Sequence, residues 1–242
     1  MPFEGQHVYV MGGTHGIGEA TARAFAAAGA QVVITGRSKE RLDAAAARIG
    51  RPVQTRTLDA TDPEAVASFF GDGETVGHLV LALSPGAVAL GPLVSVTEKD
   101  LHTAFDGKFF AHVRILRAAA PHLSGHASVT FLSAASARSA GPGTAGLAAA
   151  NGAIEAMVPP LAAELAPIRV NAVSPGVIET PWWSGFPEDQ RAAFFENYSA
   201  GTPVGRIGQP NDVAEAVLYL ASNGFVTGTV LDVSGGLTLA RG

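Results

Sequence analysis

Three stretches of this chain carry residue types that could do chemistry. The first is GGTHGIG, Gly12 to Gly18. Its glycines let the backbone turn tightly and approach a pyrophosphate, and the helix that follows would aim its first N–H groups at the same anion. The positions involved are Gly12, Thr14, His15, Gly16, Ile17 and Gly18. The spacing is Gly-x-x-x-Gly-x-Gly, not the commoner Gly-x-Gly-x-x-Gly. The reading therefore leans on the strand before the loop and the helix after it as much as on the glycines. The second stretch is Gly36-Arg37. A dinucleotide site that reads a ribose 2′-hydroxyl has a carboxylate here. This chain has a guanidinium, which can fork onto a 2′-phosphate, with His15 beside it. The expected coenzyme is NADP(H). The third stretch, PWWSGFPEDQRAAFFENYS at 181–199, gathers Trp182, Trp183, Phe186, Phe194, Phe195 and Tyr198 in a chain only 7% aromatic. Such a ring-stacking wall points to a bulky apolar or aromatic small molecule as substrate. Each motif also has an ordinary reading: a plain strand–helix turn, a solvated arginine, and packing of a surface segment or a subunit contact. In contrast, TAGLAAANGAIEAM at 144–157 has helical spacing and a single ionisable side chain, Glu155.

The elements that must position these residues follow from periodicity. Short apolar β-type runs at 7–11, 31–36, 53–59, 78–84, 127–133, 168–176 and 229–235 alternate with helix-like stretches. The helices are expected at about 17–29, 38–50, 62–72, 97–119, 144–166 and 210–222, with 177–204 irregular. Near-continuous apolar strands separated by helices imply an α/β fold, a parallel sheet of about seven strands covered on both faces. No linker or repeat divides the 242 residues, so a single domain over 1–242 is expected. Pro159-Pro160 inside the fifth long helix predicts a kink, because each removes a helical hydrogen bond.

Composition narrows the function classes. Apolar residues make up 47% and charged residues 15%, which argues against disorder. A formal charge of −5 gives no electrostatic footprint for nucleic acid. There is no cysteine, so thiolate nucleophiles and disulfides are excluded. The seven histidines show no metal-ligand spacing, and no metal is expected. The opening residues lack a signal-peptide pattern and no stretch reads as a membrane span, so a cytoplasmic protein without membrane contact is the expectation.

Taken together, the glycine loop 12–18, Asp59-Ala60, RVNAVSPGVIETP at 169–181, GRIGQPNDVAEAV at 205–217 and TGTVLDVSGG at 227–236 resemble the classical short-chain dehydrogenase/reductase family over essentially the whole chain. The resemblance implies a Rossmann-type doubly wound sheet and a nicotinamide coenzyme. It places Asp59 and Ala60 at the adenine, and Pro175, Gly176, Ile178 and Thr180 at the nicotinamide end. It also makes 181–204 a substrate lid carrying Trp182, Trp183 and Tyr198, and it implies a homodimer or homotetramer.

The departures bear on catalysis. Where the family has Asn-Asn-Ala-Gly, this chain has Leu81-Ala82-Leu83-Ser84. The family's catalytic Ser, Tyr and Lys correspond to Ala134, Leu147 and Asn151, while the family's helix asparagine corresponds to Lys108. Ammonium and amide have thus exchanged helices. The catalytic candidates are Lys108, Ser133 and Asn151, with Lys108 supplying electrostatics and Ser133, Ser136 or water the proton. Losing a positioned general acid typically costs about 10²–10⁴-fold. That loss is tolerable when the product anion is already delocalised, so the expected reaction is NADPH-dependent reduction of a quinone-like, conjugated or aromatic carbonyl. A solvated helix lysine is the plain alternative for Lys108. For the whole chain, the alternative is a catalytically inactive NADP(H)-binding sensor or scaffold, and isomerisation in the same pocket is a third.

Overall fold

The computed structural model describes residues 1–239. Seven parallel strands form one sheet in the order β3-β2-β1-β4-β5-β6-β7. They are β1 (His7–Met11), β2 (Gln31–Gly36), β3 (Gln54–Thr57), β4 (Val76–Leu81), β5 (Leu123–Leu132), β6 (Arg169–Pro175) and β7 (Val230–Val233). Alternate residues of each central strand point to opposite faces, and both faces are buried. Tyr9, Met11, Leu79, Leu81, Val129 and Phe131 meet helices α3 (Pro63–Ala67), α5 (Ala111–Ala119) and α6 (Ala145–Glu164). Val8, Val10, Val32, Ile34, Val80 and Val173 meet α1 (Gly16–Ala27), α2 (Lys39–Ile49) and α8 (Pro210–Ser222). Burial on two sides explains why these strands read as unbroken apolar runs instead of alternating ones. This is the parallel α/β sheet covered on both faces that the sequence pattern implied, in the Rossmann-type, doubly wound arrangement that the family resemblance implied.

The order of strands reverses between β1 and β4, which opens a crevice at their carboxyl ends. Lys108, Ser133, Asn151, Pro175, Gly176, Ile178 and Thr180 line one cavity at the strand ends. Local signals set the helix starts: Ser38 accepts from Arg41 N–H, Asp62 accepts from Glu64 and Ala65 N–H, and Thr97 with Asp100 forms a capping box for α4 (Glu98–Phe105).

The structure departs from the sequence reading in several places. Residues 177–204 are not irregular: a 3₁₀ turn, Pro181–Gly185, leads to α7 (Glu188–Gly201). The single long helix expected at 97–119 is α4 and α5 joined by a π-helical turn, Asp106–Phe110. Strand β3 is shorter than 53–59, α3 is shorter than 62–72, and β5 begins at Leu123, four residues before the expected start. The helix expected at 144–166 is α6, Ala145–Glu164, with Pro159 and Pro160 inside it.

Candidate active site

The glycine loop is built for contact with backbone. A Cβ on Gly18 would lie 2.1 Å from Gly12 O, and one on Gly12 would lie 2.7 Å from Ala82 O at the end of β4. Gly16 adopts a left-handed φ of 57° at the start of α1. His15, the residue before it, makes no side-chain cap, so the first N–H groups of α1 are left for an anion. The loop is braced from outside. Arg48 donates to Thr14 O at 2.9 Å and pairs with Glu19 at 2.7 Å, and Glu19 also holds Arg23 at 2.8 Å. This bracing was not legible beforehand, since Arg48 lies 34 residues from Thr14.

Positive charge collects beside the loop. Arg37 is exposed at the end of β2 and has no ion-pair partner among the described residues. Partial burial, then the charge of Arg41, lower the pKa of His15, so its ring is neutral near pH 7. Asp59 accepts from both the N–H and the hydroxyl of Thr61 through Oδ1. These bonds hold its carboxyl below the usual range. Arg37 lies close enough to Asp59 for its charge to help lower that carboxyl's pKa. A pyrophosphate cradle closed to side chains, free helix N–H groups and an unpaired guanidinium fit a phosphorylated dinucleotide.

From the loop a cavity of about 740 Å³ runs over the carboxyl ends of β4, β5 and β6. Ile17, Pro175, Gly176, Ile178 and Thr180 line it, as do Ala134, Leu147 and Asn151. Above lie Trp182, Trp183, Phe186, Phe194 and Tyr198. Trp183 is central to this cover: its ring is 4.6 Å from Trp182 and 5.0 Å from Phe194, and its Nε1 donates to Ile178 O at 2.9 Å. The Tyr198 oxygen accepts from Val177 N–H at 3.3 Å, and burial raises its pKa, which keeps the phenol protonated.

Lys108 enters this cavity from the π turn. Gly107 makes that possible, because a Cβ there would lie 2.6 Å from Pro85 Cβ, so only glycine lets the turn sit against the segment after β4. The Lys108 ammonium has no hydrogen-bond or ion-pair partner among the described residues. Burial alone lowers its pKa to about 8. The neighbouring Asp106 carboxylate faces Arg114 instead, at 3.6 Å. Among the described residues no carboxylate lines the cavity, and its two charged lining side chains, Lys108 and Arg191, are both cationic.

The other two catalytic candidates are placed differently. Asn151 is buried; its Nδ2 donates to Leu147 O at 2.9 Å and Ser136 Oγ at 3.3 Å, while its Oδ1 has no partner. Ser133 lines the cavity, yet its hydroxyl donates to Glu155 Oε1 at 2.8 Å. Of the proton sources expected from sequence, Ser133, Ser136 or water, Ser133 is the one whose hydroxyl donates to a carboxylate. Glu155 is the centre of a polar group beneath the cavity floor. Its Oε1 also accepts from Ser174 Oγ at 2.7 Å, and its Oε2 lies 3.1 Å from Arg138 Nε. The helix that looked empty of chemistry therefore ties β5 and β6 together. Glu155→Ala would strand the buried Ser174 hydroxyl and leave Ser133 with only the longer contact to Val173 O. The expected cost is about 2 kcal/mol, read as a lower urea midpoint at unchanged m-value. A midpoint equal to that of the parent would contradict it.

The comparisons with known proteins agree with this geometry. A family model described as enoyl-(acyl carrier protein) reductase matches residues 12–238. A 3-oxoacyl-[acyl-carrier-protein] reductase of Thermotoga maritima is 32% identical, covering 99% of this chain and 100% of its own. A short-chain dehydrogenase/reductase of Stachybotrys chlorohalonatus is 32% identical over 97% of this chain and 98% of its own. Among solved structures, a small-chain dehydrogenase in complex with NADPH superposes with a TM-score of 0.84 at 32% identity, covering 97% of this chain and 99% of the other. The chain belongs to the short-chain dehydrogenase/reductase family. It is an oxidoreductase of that type, and the coenzyme of the family is a nicotinamide adenine dinucleotide.

Proposed function

We propose that this protein is an NADP(H)-dependent reductase of activated carbonyl compounds, whose reduced anion is delocalised as in a quinone, a conjugated ketone or an aromatic aldehyde. The observation that carries the reading is an unpaired ammonium, Lys108, on a largely apolar cavity wall that has no carboxylate among the described residues. When bound, the reduced dinucleotide supplies the hydride. Gly12, Thr14, His15, Gly16, Ile17 and Gly18 hold its pyrophosphate, Arg37 its 2′-phosphate and Asp59 with Ala60 its adenine. Pro175, Gly176, Ile178 and Thr180 hold the nicotinamide end. Residues 181–204 serve as the lid. Their rings exclude water from the cavity and stack on a flat acceptor.

Lys108 acts on the acceptor oxygen. Its positive charge in a water-poor cavity stabilises the oxyanion more than it would in solution. With a pKa of about 8 it can also give up a proton near neutral pH, which suits a general acid. Asn151 donates to Ser136 Oγ, and its own Oδ1 is buried without a partner. The supporting relatives are those named above, including the NADPH complex.

The test follows NADPH absorbance with a panel of quinones, conjugated ketones, aromatic aldehydes and simple ketones. Oxidation above the blank is expected with the activated acceptors, and little with simple ketones. Tight NADPH binding without oxidation across the panel would overturn the reading in favour of a sensor or scaffold.

A further inference from the structure

We propose that Lys108 is also a nucleophile, capturing aldehydes and ketones in the cavity as a reversible imine. This activity goes beyond hydride transfer and does not depend on a coenzyme. It rests on where the amine sits. Lys108 lines a cavity of about 740 Å³ whose other walls are mostly apolar or aromatic. Carboxylates that would hold a lysine as ammonium are absent from that lining among the described residues. Asp106, two positions before it, faces Arg114. The remaining titratable neighbours also fail to favour the charged form. His112, one turn further on, is fully buried, and burial and then the Lys108 charge keep it neutral. Arg191 and Tyr198, from α7, line the same cavity, and neither is an acid that would hold an ammonium. A lysine desolvated in a largely apolar pocket is the arrangement that yields a nucleophilic amine.

The step balances without an oxidant or reductant. The neutral Nζ attacks the carbonyl carbon, and the carbonyl π pair becomes an alkoxide that is protonated to a carbinolamine. Loss of the oxygen as water forms the C=N bond. From ammonium and carbonyl, the products are one protonated imine and one water. Hydrolysis reverses the sequence.

Of the three lysines, Lys39 pairs with Asp43 at 2.7 Å, and its pKa is raised by that contact. At pH 7 an amine with a pKa of about 8 is unprotonated about 200-fold more often than an ordinary lysine. The experiment incubates the coenzyme-free protein with benzaldehyde and sodium cyanoborohydride at pH 7, then maps benzylated amines by peptide mass spectrometry. The amino terminus, exposed and next to Glu4, serves as the internal standard for an ordinary solvent-facing amine. The expected result is at least about tenfold more adduct on Lys108 than on Lys39 or Lys99. Lys108→Arg, which keeps the cation but cannot form an imine, should show none at that position with unchanged circular dichroism. Labelling of the amino terminus, Lys39 or Lys99 with Lys108 unmodified would overturn the proposal. So would labelling of all three lysines alike. Because coenzyme is omitted, failure here leaves the reductase reading intact, and failure of NADPH oxidation leaves this one intact.

Discussion

Lys108→Met is expected to lower kcat for the activated acceptor by about 10²–10³-fold while raising the melting temperature at pH 7. The two effects share one cause. In the folded chain Lys108 loses its proton near pH 8, whereas an ordinary lysine keeps it to about 10.4. Between those values the unfolded chain binds the extra proton. Stability from this group therefore rises with pH across that window, and below about 8 the folded state carries the full cost of a desolvated ammonium. Methionine carries no such cost. The gain in melting temperature should shrink as pH climbs from 8 towards 10. In the parent protein, turnover should fall on the alkaline side of about pH 8 as the ammonium is lost. Thermal scans and pH–rate profiles of the two proteins check both halves. Full turnover in the variant would remove Lys108 from the mechanism, and an unchanged melting temperature would show that its burial is not costly.

Arg37→Asp is expected to weaken NADPH binding by about 100-fold and to improve NADH binding. A hydrogen bond to a charged group contributes about 1.5–3 kcal/mol, and each 1.4 kcal/mol is tenfold in affinity. The substitution removes the fork to the 2′-phosphate, sets a negative charge against it, and supplies an acceptor for a free 2′-hydroxyl. Arg37 is exposed, so the NADPH term should weaken with added salt. The loop should survive the change, since its brace is Arg48 on Thr14 and Glu19, not Arg37. Fluorescence titrations with both coenzymes at two ionic strengths measure the effect. Unchanged NADPH affinity would show that Arg37 does not touch the phosphate.

Most of the fold was legible because it is written in local pattern. Runs such as HVYVM and QVVITG are apolar on both sides of the pleat, and glycines and caps mark the turns between them. Helix α7 was obscured by the prolines and tryptophans before it and by aromatics that do not fall on one stripe. None of its residues is fully buried, so it lacks the amphipathic period that marks core-facing helices. Its start was nevertheless signalled, with Pro187 ahead of Glu188 and Asp189 in the first turn. The glycine loop could be read as a tight strand-to-helix turn, and its close backbone contacts to Gly12 and Ala82 match that. The reacting side could be read only in part. Whether Ser133 faced the cavity or the core depended on Glu155, 22 residues away, and on Ser174 beyond it. Partnerships across that separation leave no periodic trace.

The π-helical turn at Asp106–Phe110 lets α4 and α5 keep nearly one common phase although an extra residue is wound between them. The wider turn takes up that residue with little rotation of either flank. Deleting one residue there would restore an ordinary α-helical turn and leave α4 on Ala150 and α5 on the sheet. What would change is the direction of the turn's own side chains. The amine of Lys108 is aimed by this bulge, much as a key is aimed by its cut. A length change of one, harmless in most surface segments, would here switch the site off while leaving the coenzyme cradle untouched.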